Sequence, residues 1–324
     1  MAGEYIRPFF ISSLGVFKDL IKKAIIGRVS NIEKKIRSFL LIFLILLSTV
    51  SCTSASSDKG TQPAIEVSDP TPTEAPLAAR VNGEGILLSD YQEELQRYQA
   101  AIEQAGGTYD SSAASNIVIN EMINQVLLAQ AAEREGYHAD ETALQARLEE
   151  LAEQAGGMEA LTRWMEENYY SPESFRRFLE RDMGATWMRN HILASMPQTA
   201  DQVHARQILV RSENEAIAVQ RRLQAGADFT ALAYEYDPLT GGDLGWFPVG
   251  YLLQPDVENV AFSLLPGQFS GIIQTDYGFH IVYVIERDPN RSLSGEALLF
   301  KQRETLVNWL RERKNQSEIE VFVD

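Results

Sequence analysis

One cysteine, four histidines and a shortage of basic residues set the first limits on this 324-residue chain. A single thiol, Cys52, excludes an intrachain disulfide, so a folded domain must be held by its apolar core. The histidines do not stand with Cys, Asp or Glu at ligand spacing, so no metal and no other cofactor is expected. Lys and Arg number 29 against 45 Asp and Glu, a formal charge of -16, and the imbalance is uneven. Residues 1–38 hold eight Lys/Arg and three Asp/Glu, a net of +5, which leaves -21 for residues 39–324. So acidic a body excludes nucleic acid as a partner, because neutralising phosphates needs a basic face. No apolar run reaches the roughly 20 residues of a membrane-spanning helix.

What is present begins with the longest such run, twelve residues from Phe39 to Val50, preceded by Lys34, Lys35 and Arg37. Its length and flanks suit the h-region of an export signal. It leads into Thr49-Val50-Ser51-Cys52, which resembles the lipobox of bacterial lipoproteins, with Thr49 where Leu is more usual. The resemblance implies lipidation of Cys52; a plain cleaved signal and an uncleaved anchor are the alternatives. Residues 1–52 therefore read as a signal peptide, and residues 53–77, rich in Ser, Thr and Pro, as a flexible linker. Together they place the body outside the cytoplasm, tethered to a membrane by its lipid.

Residues 78–200 carry helical periodicity. Ser89 and Gln92 suggest a capping box ahead of the stripe Tyr91, Leu95, Tyr98 and Ile102. Further apolar faces run through Ile119 to Leu127 and through Leu144 to Ala155, the latter closed by Gly156-Gly157. Ser171-Pro172 starts another helix, with proline where its missing N–H is harmless. Trp164, Met165, Tyr169, Tyr170, Trp187 and Met188 stand at helical spacing, which favours core, although Met and aromatic side chains also suit a promiscuous cleft.

From residue 201 the period switches. Val203 to Val210 alternates as a strand does, two short helices follow, then the cluster Gly241 to Phe247, a third helix, a Pro266-Gly267 turn and an apolar run from His280 to Ile285. The cluster lacks the Lys-Ser or Lys-Thr of a phosphate loop, so its glycines read as turn residues with positive φ. Glu296 to Lys314 is an amphipathic helix, and Ile319 to Val323 alternates as a terminal strand.

Three segments in order carry a resemblance: His204-Ala205-Arg206-Gln207-Ile208-Leu209-Val210, Gly242-Asp243-Leu244-Gly245-Trp246-Phe247, and Thr275-Asp276-Tyr277-Gly278-Phe279-His280-Ile281. They resemble parvulin-type peptidyl-prolyl isomerases, and the flanks look like the PrsA and SurA extracytoplasmic foldases. The resemblance implies an α+β chain: an all-α SurA-N-like chaperone domain into which a parvulin-like domain, residues 201–288, is inserted. That domain would be a small antiparallel sheet packed by helices. Residues 289–324 would return to the helical domain, the last strand pairing with the one at Arg80 to Ile86.

The resemblance also assigns a site. Asp237, His280, Gln207 and Thr275 fall on catalytic positions, and Leu244, Leu253, Val257, Phe247 and Tyr277 on substrate-binding ones. Desolvation would raise the Asp237 pKa and let it donate a hydrogen bond, whereas an Asp before Pro238 also suits a plain turn. Gln207 replaces the first of the family's paired histidines, which implies reduced turnover because an amide cannot titrate. The expected activity is cis-trans isomerisation of X-Pro bonds in unfolded or partly folded exported polypeptides. The alternative is a holdase chaperone with a weak or inactive parvulin domain.

Overall fold

The computed structural model describes residues 75–323, so the expected export signal, Cys52 and nearly all of the expected linker lie outside the described residues. The first described element is a hairpin, β1 (Leu77–Val81) and β2 (Glu84–Leu87), turning through Asn82 and Gly83. Both turn residues have positive φ, 51° and 89°, as a tight turn between right-twisted strands requires. The free edge of β1 pairs antiparallel with the last strand, β7 (Ile319–Val321). Asn82 fastens this closure. Its N–H donates to Glu318 O at 2.8 Å, its Oδ1 accepts from the Glu318 N–H at 3.0 Å, and its Nδ2 donates to Gln130 Oε1 at 2.8 Å.

Five helices follow: α1 (Leu88–Gln104), α2 (Ser111–Arg134), α3 (Glu141–Ala155), α4 (Met158–Glu167) and α5 (Pro172–Ala194). The capping box expected at Ser89 does not form, because α1 starts a residue earlier with Leu87 at its N-cap. The first turn is held instead by Asp90, whose buried carboxylate accepts two hydrogen bonds from Arg177 of α5 at 2.9 and 2.5 Å. α3 ends at Gly156 in the left-handed conformation, and α5 opens on a Ser171 cap with Pro172 first, both as the sequence indicates. α4 is an addition to the sequence reading, and Leu161 and Met165 are its buried residues.

The helices bury three seams, the third where Leu144, Leu151, Leu161, Phe175 and Leu179 join α3, α4 and α5. Val118 to Leu127 of α2 pack on the hairpin, while Leu128, Ala131 and Ala132 meet Ala185, Met188 and Ile192 of α5. Leu306 and Leu310 of α9 (Gly295–Asn315) complete the second seam. Gly184 permits the close crossing of α2 and α5, since a Cβ there would meet Ala129 at 3.3 Å. Met165, Tyr170 and Met188 are core, whereas Tyr169 is exposed.

Between α5 and α9 lies the second sheet. β3 (Thr199–Val210), β4 (Asp243–Pro248), β5 (Ile273–Thr275) and β6 (Gly278–Ser292) assemble in the antiparallel order β4-β3-β6-β5. Alternation gives each strand two apolar faces. Ile208, Val210 and Ile281 face α6 (Glu213–Gln224) and α7 (Phe229–Tyr236), while Val203, Ala205, Val282 and Val284 face α8 (Pro255–Ser263).

Replacing Asn82 by Ala removes both the turn residue and the side-chain bonds to Glu318 and Gln130. The expected loss is about 1–2 kcal/mol of unfolding free energy in urea; an unchanged midpoint would show that the strand pairing closes without this residue.

Candidate active site

The site is a consequence of register. Gln207 lies opposite Val282, Leu209 opposite His280, and Ile273 opposite His280 on the other flank. Opposed residues share a face and residues two apart share it too, so the side chains of Gln207, His280 and Thr275 form one row across β3, β6 and β5. His280 Nδ1–H donates to Gln207 Oε1 at 2.8 Å, and the Thr275 hydroxyl donates to His280 Nε2 at 2.8 Å. The Thr275 oxygen in turn accepts the Tyr277 N–H at 3.1 Å. The imidazole is 2% exposed, and burial lowers its pKa below the ordinary 6.5. A neutral ring with both nitrogens engaged orders its neighbours; it has no spare group with which to transfer a proton.

Asp237 corrects the expectation made for it. It caps the C-terminal end of α7, and its carboxylate accepts the Thr240 hydroxyl and the N–H groups of Leu239, Thr240 and Gly242 at 3.1, 3.2 and 3.2 Å. The Thr240 hydroxyl, followed by the amides, lowers its pKa, so the group is ionised rather than a protonated donor. Asp237 reaches the row through the backbone: it fixes Gly242, whose carbonyl accepts the Gln207 N–H at 2.8 Å. Gly242 has φ +64° and lies so close that a Cβ would come within 1.9 Å of the Gln207 carbonyl oxygen.

Beside the row lies an apolar shelf. Val257 and Phe247 do not line it as expected; at 2% and 0% exposure they are its floor, packed with Val203, Ala205, Ala261, Val282 and Val284. Leu253 is 87% exposed and stands clear of the cluster, and the side chain that packs is its neighbour Leu252. The cause is Glu258, a buried carboxylate that accepts the N–H groups of Gly250 at 2.5 Å and Leu252 at 2.8 Å and so sets the direction of the loop. Leu244, expected in the pocket, is half-buried against this cluster, as are Leu252, Phe262 and Ile273. Tyr277 is 66% exposed on the β5–β6 turn. Sequence reasoning missed Leu252, Phe262, Ile273 and Glu258. A doubled leucine gives no sign of which member turns inward, although a Glu in the first turn of a helix after a glycine loop is a usable signal for a loop clamp. Among the described residues no group of three His, Cys, Asp or Glu could hold a metal ion.

Two outcomes follow. Below about pH 6.5 the unfolded chain takes up a proton on residue 280 that the folded chain refuses until a lower pH. Stability present above that pH therefore falls as pH drops through the interval between the two values. Urea unfolding at pH 7.5 and about 5.5 should show a larger loss in the wild type than in His280→Gln; equal losses would mean the imidazole titrates alike in both states. Gly242→Ala should distort the β3 pairing, giving a lower melting temperature and altered amide shifts at residues 205–209.

Known proteins match both parts of the chain. Residues 191–286 match the PPIC-type PPIASE domain (Rotamase), and residues 29–179 match the SurA-like N-terminal domain. The foldase protein PrsA of Caldanaerobacter subterraneus subsp. tengcongensis is 28% identical over 269 residues, 77% of this chain and 82% of that protein. The chaperone SurA of Alcanivorax borkumensis is 29% identical over 247 residues, 65% of this chain and 57% of that protein. A crystal structure of the peptidylprolyl isomerase PrsA from Bacillus anthracis superposes with TM-score 0.39 at 22% identity, covering 61% of this chain and 96% of that one. The chain thus joins a SurA-like N-terminal domain to a PPIC-type peptidyl-prolyl cis-trans isomerase domain, and is similar to the foldase PrsA and the chaperone SurA.

Proposed function

We propose that the chain is a lipid-tethered isomerase that turns X-Pro bonds in exported polypeptides as they fold. The observation that carries this reading is a hydrogen-bonded polar row on the same face of the sheet as an apolar cluster. Rotation about an amide faces a barrier of roughly 18–20 kcal/mol set by resonance. A dry apolar seat disfavours the charge-separated planar form more than the twisted one, so burying a prolyl ring speeds rotation without a nucleophile or proton transfer. In this reading the ring settles on Leu244, Leu252, Phe262 and Ile273. Gln207, His280 and Thr275 hold the strands rigid beneath it, and Asp237 acts as a positioning residue through Gly242.

The organisation proposed around that site is an export signal in residues 1–52 lipidated at Cys52 and a linker in residues 53–77. Residues 78–200 with 289–324 form a client-holding helical domain, and residues 201–288 the inserted isomerase. The pairing of β7 with β1 supports the insertion. No helix among the described residues is long and apolar enough to cross a membrane. A second reading, holding without turnover, is favoured by Gln207 in place of a titratable partner for His280.

A proline-limited refolding assay separates the two. The wild type should accelerate the slow phase, and Gln207→Leu, which strips the acceptor from His280, should lower kcat/KM roughly tenfold or more. Both should still suppress aggregation of an unfolded client. No acceleration by the wild type at any concentration, with suppression retained, would leave holding as the function.

A further inference from the structure

A second candidate site lies away from the sheet. A cavity of about 380 Å³ lies among the helices, between α1, α2 and the segment joining α4 to α5. That volume falls within the range of specific ligand sites and matches one large side chain with its flanking backbone. Its apolar lining includes Tyr98, Met122, Trp164 and Phe178, and Ile117 stands at 42% exposure beside it. The walls are set in advance. Arg97 donates to the Tyr169 carbonyl at 2.8 Å and lies 3.7 Å from the Tyr170 ring centre, holding Tyr169 at a strained φ of 57°.

Its charges do not balance. Of the ionic groups that line it, Asp90 is matched by Arg177, Arg97 by Glu93 and Glu94, and Arg181 by Glu84. Glu121 and Glu167 have no ion-pair partner among the described residues; Glu121 accepts only a 3.3 Å hydrogen bond from Asn124. Burial raises the Glu121 pKa despite the fields of Arg189 and Lys314, the mark of a carboxylate short of compensation. An arriving cation would supply that compensation, and an anionic lipid or fatty acid would meet repulsion. The formal charge of -16 steers cationic segments toward the same surface.

We propose that this cavity is a second polypeptide-binding site, selecting extended segments in which a bulky apolar side chain is flanked by lysine or arginine. The apolar group enters against Met122 and Trp164, and the cation meets Glu121 and Glu167. The inference rests on the reading that the chain handles unfolded polypeptides, and it names the class of segment held.

The test uses two proline-free peptides, Ala-Lys-Phe-Lys-Ala and Ala-Glu-Phe-Glu-Ala, titrated into the wild-type protein by calorimetry. Having no proline, they report on the cavity independently of turnover at the sheet. An ionic contact with a buried carboxylate is worth roughly tenfold or more in affinity. The lysine peptide should therefore bind at least about tenfold tighter than its acidic counterpart. Glu121→Gln should erase most of that ratio. Ala101→Phe, at an exposed helix position lining the cavity, should weaken the lysine peptide by about tenfold. Isomerisation of a proline tetrapeptide should be unchanged in both variants. Equal binding of the two peptides, or undiminished binding to Ala101→Phe, would overturn the proposal.

Discussion

The pairing of β3 with β6 is the constraint on which the rest of the isomerase domain depends. It runs from Thr199 opposite Ser292 to Val210 opposite Phe279, the longest ladder in the chain. A slip of one residue would turn Val282 and Val284 away from α8 and carry His280 off the face it shares with Gln207 and Thr275. The same register supplies the apolar floor and the polar row, so the packing energy of the first fixes the geometry of the second. His280 can be buried at 2% exposure because its neighbours on both strands satisfy it.

Second to this ladder stand two carboxylates that act on backbone. Asp237 collects the amides of the loop ahead of β4, and Glu258 collects those of the loop after it. Each turns a segment that has little apolar content of its own into a defined wall of the site. The glycines at 241 and 242 give these loops the left-handed backbone they need, and Gly242 alone is small enough to lie on the Gln207 carbonyl.

Period, turn chemistry and three short segments made the alternation of helix and sheet legible; the resemblance, rather than spacing, named Gln207, His280 and Thr275, which hydrogen bonds join in one row. What escaped was direction at single residues. Leu252 and Leu253 are indistinguishable in a pattern, and only the Glu258 grip decides between them. The charge state of Asp237 depended on how many amides converge on it, which no spacing reveals. Ser89 looked like a cap, yet an ion pair between buried Asp90 and the partly exposed Arg177, 87 positions apart, holds the start of α1. Long-range partners of this kind are invisible to local reasoning.

The central claim is that a prolyl ring rests on the shelf beside a neutral, doubly engaged imidazole. Nuclear magnetic resonance during titration with a short Ala-Pro peptide addresses it most directly. The account predicts shift changes concentrated at Gln207, Leu244, Leu252, Phe262, Ile273, Thr275 and His280, with the His280 ring nitrogens retaining the signature of the Nδ1–H tautomer. Changes confined to the helices between residues 88 and 194, or a protonated His280 ring in the complex, would contradict it.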